Sequence, residues 1–335
     1  MLYSNTELSL VNTYHAVAVV IAKSESCRIS MTVLKMNSSS DRKAVAAAVI
    51  CNALWGLSFL ASRIALDTTP VFIILSHRFL LAFLAMSVLL LTPFAEIHLR
   101  GKSLWPLLLL GLMQPVIYFL GELYGILHST TIFSGVMISV IPIAGVLAAV
   151  LFLKEIPSAT QIVFCVLAVS GVVGIGLLSH NSGSLEWSGV LGLVLAVCAA
   201  VAYTILNRSI AKTYTVFERT YIMMGVGAVI FTTTALASVK GDLTVYLHPF
   251  SAPGYLAAVL YLALFCSVVC FFLSCYTLSR LSVARATVFA NLTTIVSVVA
   301  GAVILHEPLP PIGIACCGLI LVGIYGVQHG AKQEA

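Results

Sequence analysis

Two residues of opposite charge stand where charge is costly. Arg78 and Glu122 both lie inside long apolar stretches of the chain, and an ionisable side chain in such a span marks a functional candidate. Arg78 sits in the run that starts at Val71, and Glu122 sits shortly before the run ending at Leu127 closes. At about 1.5 Å per residue both are about 8–10 Å from the same end of their helices, so the two can meet. Two readings stay open. In one the pair is a structural clamp, because a buried ion costs several kcal/mol unless it is paired and a lone partner is worse. In the other, Glu122 is a coupling or substrate-contacting carboxylate. His77 adjoins Arg78 and should point elsewhere around its helix.

Uncharged polar groups punctuate the same spans: Asn52, Gln114, Tyr118, Ser139, Tyr203, Asn207 and Asn291. Each can act as hydrogen-bonding glue between helices or as a ligand. Trp55 lies near mid-span, which suits a cavity wall at least as well as an interfacial aromatic belt. Gly121-Glu-Leu-Tyr-Gly125 has the G-x-x-x-G spacing that lets a second helix approach closely. Arg63 and Arg285, within a few residues of helix ends, are expected to snorkel to the interface. Cys266 and Cys270 share one helical face, but without His or carboxylate partners at ligand spacing they read as packing residues, and no metal or cofactor is expected.

The elements that must position these residues are transmembrane. Of 335 residues, 60% are hydrophobic and only 9% charged, with a mean hydropathy of +1.09. A soluble domain carries about 25% charged residues. Uncharged stretches such as Val45–Leu60 and Trp105–Leu120 are the signature of a polytopic membrane protein. Ten apolar runs are predicted, over 43–66, 71–92, 104–127, 129–152, 160–178, 187–207, 217–238, 254–279, 282–305 and 310–328. The gaps are too short for a folded soluble domain, and no phosphate-binding G-x-x-x-x-G-K-[ST] loop is present. The net charge of +5 comes from basic residues at the ends of runs, where they set orientation, so nucleic acid is not implied. With the amino terminus in the cytoplasm, eleven Lys and Arg residues fall on or near the inner face. Only Arg63, Arg78 and Lys240 fall in the outer half. Both termini are therefore expected to be cytoplasmic. Residues 1–42 read as an amino-terminal tail, with translation expected to begin at Met31 or Met36. A regulatory tail is the alternative. Eight of the nine cysteines lie inside apolar runs and are expected to be free thiols.

An internal repeat organises the runs. Glu155 in Leu153-Lys-Glu155 and Glu307 in Leu305-His-Glu307 close equivalent runs 152 positions apart, and both read as helix-end determinants rather than binding residues. The same offset pairs Phe119 with Phe271, Tyr124 with Tyr276, Gly171 with Gly323 and Gly174 with Gly326. Five runs per copy is an odd number, so the second copy enters the membrane from the opposite side. Such inverted repeats are the construction of many alternating-access transporters.

Several local patterns resemble the EamA family of the drug/metabolite transporter superfamily. Trp55-Gly-Leu-Ser-Phe59 resembles the start of its first helix, and Pro70 with Arg78-Phe-Leu-Leu-Ala82 its second. Ser129-Thr-Thr-Ile132, Pro142 and Leu153-Lys-Glu155 resemble its fourth, and Leu305-His-Glu-Pro308 is the counterpart in the second half. Thr294 departs from the pattern, standing where the second half often has a proline. The resemblance implies an all-α integral membrane protein of ten helices built as two inverted five-helix repeats, over residues 43–178 and 187–328, with a short cytoplasmic tail at 329–335. It implies a secondary transporter, with export the expected direction, in which a central cavity takes small amphipathic metabolites such as amino acids or their analogues. Proton-coupled efflux of drugs or cationic compounds is the alternative. A membrane-embedded enzyme lacks a catalytic constellation here: there is no H-E-x-x-H, and Asp41, Asp67 and Asp242 lie outside the runs. A membrane scaffold has no need of an inverted repeat. The expected surroundings are the cytoplasmic membrane bilayer, a small-molecule substrate and a coupling proton as candidate ion, with the protein a monomer. The candidate cavity or coupling residues are Asn52, Trp55, Arg78, Gln114, Tyr118, Glu122, Ser139, Tyr203 and Asn291.

Overall fold

The computed structural model describes residues 39–92, 97–148, 159–181, 185–281, 289–307 and 310–330. The expectations for the tail before Ser39, for Glu155 and for Arg285 fall outside those residues. Among the described residues the chain is helical throughout, with no strand. Its helices are α1 (Ser39–Leu66), α2 (Val71–Leu89), α3 (Trp105–Leu127), α4 (Thr131–Ile138), α5 (Ile141–Ala148), α6 (Ala159–Asn181), α7 (Trp187–Ile210), α8 (Val216–Ser238), the short α9 (Leu243–Leu247), α10 (Pro253–Arg280), α11 (Ala290–Val303) and α12 (Pro311–Gly330). Six of them, α1, α2, α3, α7, α8 and α10, are long and apolar enough to cross a membrane. Shorter apolar helical stretches cover Ile162–Ile175, Leu292–Val303 and Pro311–Gly323.

Large apolar side chains line the outside as well as the core, as expected of helices whose solvent is lipid. Trp105 and Trp187 open α3 and α7 and are 70% and 73% exposed, in the manner of interfacial aromatic anchors. Inside, α8 packs on α2, α7 on α3, α12 on α6, and α1 lies against both α10 and α11. The α3–α7 contact is as close as the glycine spacing suggests: a methyl group on Gly121 would strike the Gly192 carbonyl, and one on Gly125 would strike Leu193.

Prolines decide where helices break. Pro115 has no N–H to give to the Gly111 carbonyl, and it forces the preceding residue out of helical geometry. Gln114 accordingly adopts φ −146°, ψ 112°, and Leu112–Ile117 relaxes into a π-helical turn. Pro142 likewise denies the Ile138 carbonyl its partner, and the fourth run, expected as one helix over 129–152, is two helices, α4 and α5, separated at Ser139–Val140. Thr294 stands at the position equivalent to Pro142. Having its N–H, it lets α11 run unbroken from Ala290 to Val303. A second π-helical stretch in α10, Tyr261–Val269, overlaps the first when shifted by the 152-residue repeat.

Candidate functional site

A central cavity of about 130 Å³ is built from both halves of the chain. α1, α3 and the α4–α5 break line it from the first half of the chain, and α7, α10 and α11 from the second. Asn52, Trp55, Gln114, Tyr118, Glu122, Ser139 and Tyr203 all border it. The breaks place two of them: the extended backbone of Gln114 and the gap after α4 turn Gln114 and Ser139 toward the space. The Asn291 side chain lies outside the described positions. Arg78 does not border the cavity.

Glu122 is 2% exposed and is the one carboxylate among the described residues of the lining. Its Oε1 accepts a 2.9 Å hydrogen bond from the Tyr118 hydroxyl one turn earlier, while its Oε2 has no partner. Matching depth lets Glu122 and Arg78 meet, but they do not: no ion pair joins them, and Nη1 and Nη2 of Arg78 are without a hydrogen-bond partner, as is Oε2 of Glu122. Arg78 instead donates from Nε to the Ser267 hydroxyl at 2.9 Å, and its guanidinium carbon sits 4.0 Å from the centre of the Phe119 ring. The reason is steric: Phe119 follows Tyr118 on α3 and fills the gap between α2 and the cavity with its ring, a cation–π partner in place of an anion.

The other candidates are held as follows. Asn52 donates to the Ala48 carbonyl and accepts from Thr293 of α11 at 3.1 Å, so it ties α1 to α11 while lining the cavity. Trp55 donates from Nε1 to the Cys266 carbonyl at 3.1 Å and meets Phe271 edge-on, which makes it cavity wall and not belt. Ser139 bonds back to the Val136 carbonyl. Tyr203 accepts from Asn207, whose side-chain oxygen in turn meets Arg219 of α8. Thr293, Ser274 and Thr277 also border the cavity. Small hydroxyls in apolar helices carry no distinctive sequence signal.

Several polar side chains brace the bundle instead. Arg219, fully buried, donates to the Asn207 and Cys275 carbonyls and to Ser279, with Nε toward the Thr215 carbonyl. Glu218 closes a capping box with Thr215 and accepts from Lys102 at 3.1 Å and from the His98 N–H at 2.8 Å, pinning the 97–103 loop. His77 does point away from Arg78: its Nδ1 meets the Tyr255 hydroxyl at 2.7 Å, and its ring lies 4.2 Å from Phe250. Arg63 does more than snorkel; it donates to the Ile126 carbonyl at the end of α3. Glu307 is a helix-end residue, but of a distant helix. Its two oxygens accept the free N–H groups of Thr131 and Ile132 at 2.8 and 2.9 Å, capping α4 from the other half, as the exposed amides and dipole of a helix start favour. Tyr124 faces outward, 41% exposed. All eight cysteines of the described residues are free, and no cluster of metal-ligating side chains occurs among them.

Known proteins place this architecture. A solved crystal structure shares the fold with a TM-score of 0.60 at 17% identity, over 87% of this chain and 99% of that one. The uncharacterized transporter YcxC of Bacillus subtilis is 35% identical over 293 residues, 86% of this chain and 93% of that protein. A probable terminal-alkyne amino-acid exporter of Streptantibioticus cattleyicolor is 27% identical over 88% of this chain and 97% of its own. The model of the EamA-like transporter family matches twice, over residues 42–177 and 187–328, the same two stretches whose helices enclose the cavity. With both halves matched, the chain belongs to the EamA-like transporter family and is a multi-pass membrane protein.

Proposed function

We propose that the protein is a secondary active exporter of small amphipathic metabolites such as amino acids or their analogues, working by alternating access at the central cavity. In this reading ten spans form two inverted five-helix repeats in the cytoplasmic membrane, with both termini in the cytoplasm. The observation that carries it is the cavity itself: aromatic walls, scattered hydroxyl and amide groups and a single carboxylate suit a small molecule with an amine and an apolar body. A phosphorylated ligand would want several cations on the lining, and among the described residues that border the cavity there is none. Beyond the cavity, bonds tie the bundle at both ends: Glu307 to α4, Arg63 to α3 and His128 to Glu186 at the end remote from the start of α1, and Lys102 to Glu218 and Arg208 to the Leu278 carbonyl at the other. The amino-acid exporter among the relatives supports the substrate class.

Proton-coupled efflux of cationic compounds is the second reading, favoured by the unpartnered Oε2 of Glu122. Expression in a host stripped of its own exporters tests both: resistance to, and efflux of, a panel of amino acids, their analogues and cationic dyes. Efflux of amino acids in preference to dyes supports the first reading. Dye efflux alone, dependent on the proton gradient, supports the second, and neither overturns both.

A further inference from the structure

We propose that the ring of Phe119 is a shutter over a second ligand-binding group of the cavity, the guanidinium of Arg78, so that a ligand with both an amine and a carboxylate is held at both ends. This rests on the transport reading above and names the residues that would select its substrate.

The argument begins with two buried arginines. Neither Arg78 nor Arg219 exposes any surface. Arg219 shows what a structural clamp looks like in this bundle, since all three of its nitrogens have acceptors. Arg78 offers five N–H donors in a planar fork, of which only Nε is used, on Ser267; Nη1 and Nη2 have no partner. Buried charged donors without acceptors are expensive, and two parallel donors on a guanidinium edge fit a carboxylate in bidentate fashion. The nearest anionic group, Glu122, is not in contact, and it too keeps one oxygen unpartnered.

Phe119 connects the two. It borders the cavity and at the same time lies under the Arg78 guanidinium at 4.0 Å. Phe119 and Glu122 are three residues apart on α3 and so share one helical face. With the ring in place the cavity presents Glu122 alone, a site for an amine. Rotation of this one side chain opens a path from the cavity to the free edge of Arg78, at the loss of its cation–π contact, which the arriving carboxylate replaces by a charge-assisted pair. The amine end would then sit at Glu122 and the carboxylate end at Arg78.

The test uses the full-length protein in nanodiscs and three probes of one shape: phenylalanine, phenethylamine and 3-phenylpropionate, with binding measured by calorimetry. The wild type is expected to bind phenylalanine about 10- to 100-fold more tightly than either truncated probe, the loss that goes with a charge-assisted contact. Arg78→Met should lower phenylalanine to the level of phenethylamine and leave phenethylamine unchanged. Phe119→Ala, which removes the shutter and leaves the charge, should raise affinity for 3-phenylpropionate relative to that for phenethylamine about tenfold, and it carries the test if Arg78→Met folds poorly. Equal binding of phenylalanine and phenethylamine by the wild type overturns the shutter and leaves the transport reading standing. So does a Phe119→Ala protein that treats all three probes as the wild type does. Failure of the wild type to bind any of the three overturns both.

Discussion

At Arg219 every guanidinium nitrogen has an acceptor, and removing the side chain takes away the charged donor to the Asn207 carbonyl, the Asn207 side-chain oxygen and Ser279 inside the bundle. Arg219→Met is therefore expected to destabilise the protein by at least about 3 kcal/mol, read as a lowered melting temperature in detergent and loss of the monodisperse species. Glu122 is the opposite case. Its one bond, from Tyr118, survives in Glu122→Gln, because the amide keeps an acceptor oxygen, and no direct ion pair is broken. The variant should express and melt close to the wild type and yet lose or uncouple transport, since an amide cannot change charge with substrate or proton. Wild-type transport by Glu122→Gln would remove the carboxylate from the mechanism. A drop in melting temperature that Arg78→Met relieves in the double variant, with transport restored, would mean that the two charges serve stability alone.

Among the elements, α3 and the α4–α5 pair owe their breaks to proline. Pro115→Ala restores the N–H that an unbroken helix needs, so α3 should straighten and turn Gln114 away from the cavity. Transport should fall while thermal stability holds or rises; unchanged transport would show that the Gln114 geometry is incidental. On the loop side, Asp242 caps α9 by accepting from the Thr244 hydroxyl and from the Thr244 and Val245 N–H groups. Those bonds, the Thr244 hydroxyl foremost, hold its carboxyl below the ordinary range. A lowered carboxyl stabilises the folded loop fully above the ordinary carboxylate value and loses that effect as pH falls through the lowered one. Amide exchange at Thr244 and Val245 should therefore accelerate in acid beyond its intrinsic trend, and Asp242→Ala, which removes the acceptor, should show that acceleration at neutral pH. These features were legible to different degrees. Most helix positions and the close glycine approach at Gly121 follow from local residue type. The role of Glu307 did not, because its partner helix starts 176 residues away, and no local pattern encodes that meeting.

For the molecule as a whole, the charge distribution makes a prediction that the bundle alone does not. If the amino terminus is cytoplasmic, the segment after α8 faces outward, and Ser251 in it is exposed. In a cysteine-free background, an impermeant maleimide added from outside should label Ser251→Cys and spare Ser40→Cys. The reverse pattern would overturn the orientation.

By itself the sequence determined the helical membrane class, the duplicated halves, the positions of most helices and the polar residues worth suspecting, because apolar run length, proline chemistry and charge placement act locally along the chain. What only the tertiary structure decided is which of those residues meet. Asn52, Trp55, Gln114, Tyr118, Glu122, Ser139 and Tyr203 converge on one cavity, whereas Arg78 faces an aromatic ring and not the carboxylate at matching depth. Depth along a helix follows from residue count, but the direction of a side chain around it depends on helix rotation and on what fills the space between. A single phenylalanine, one position from Tyr118, was enough to part the two charges.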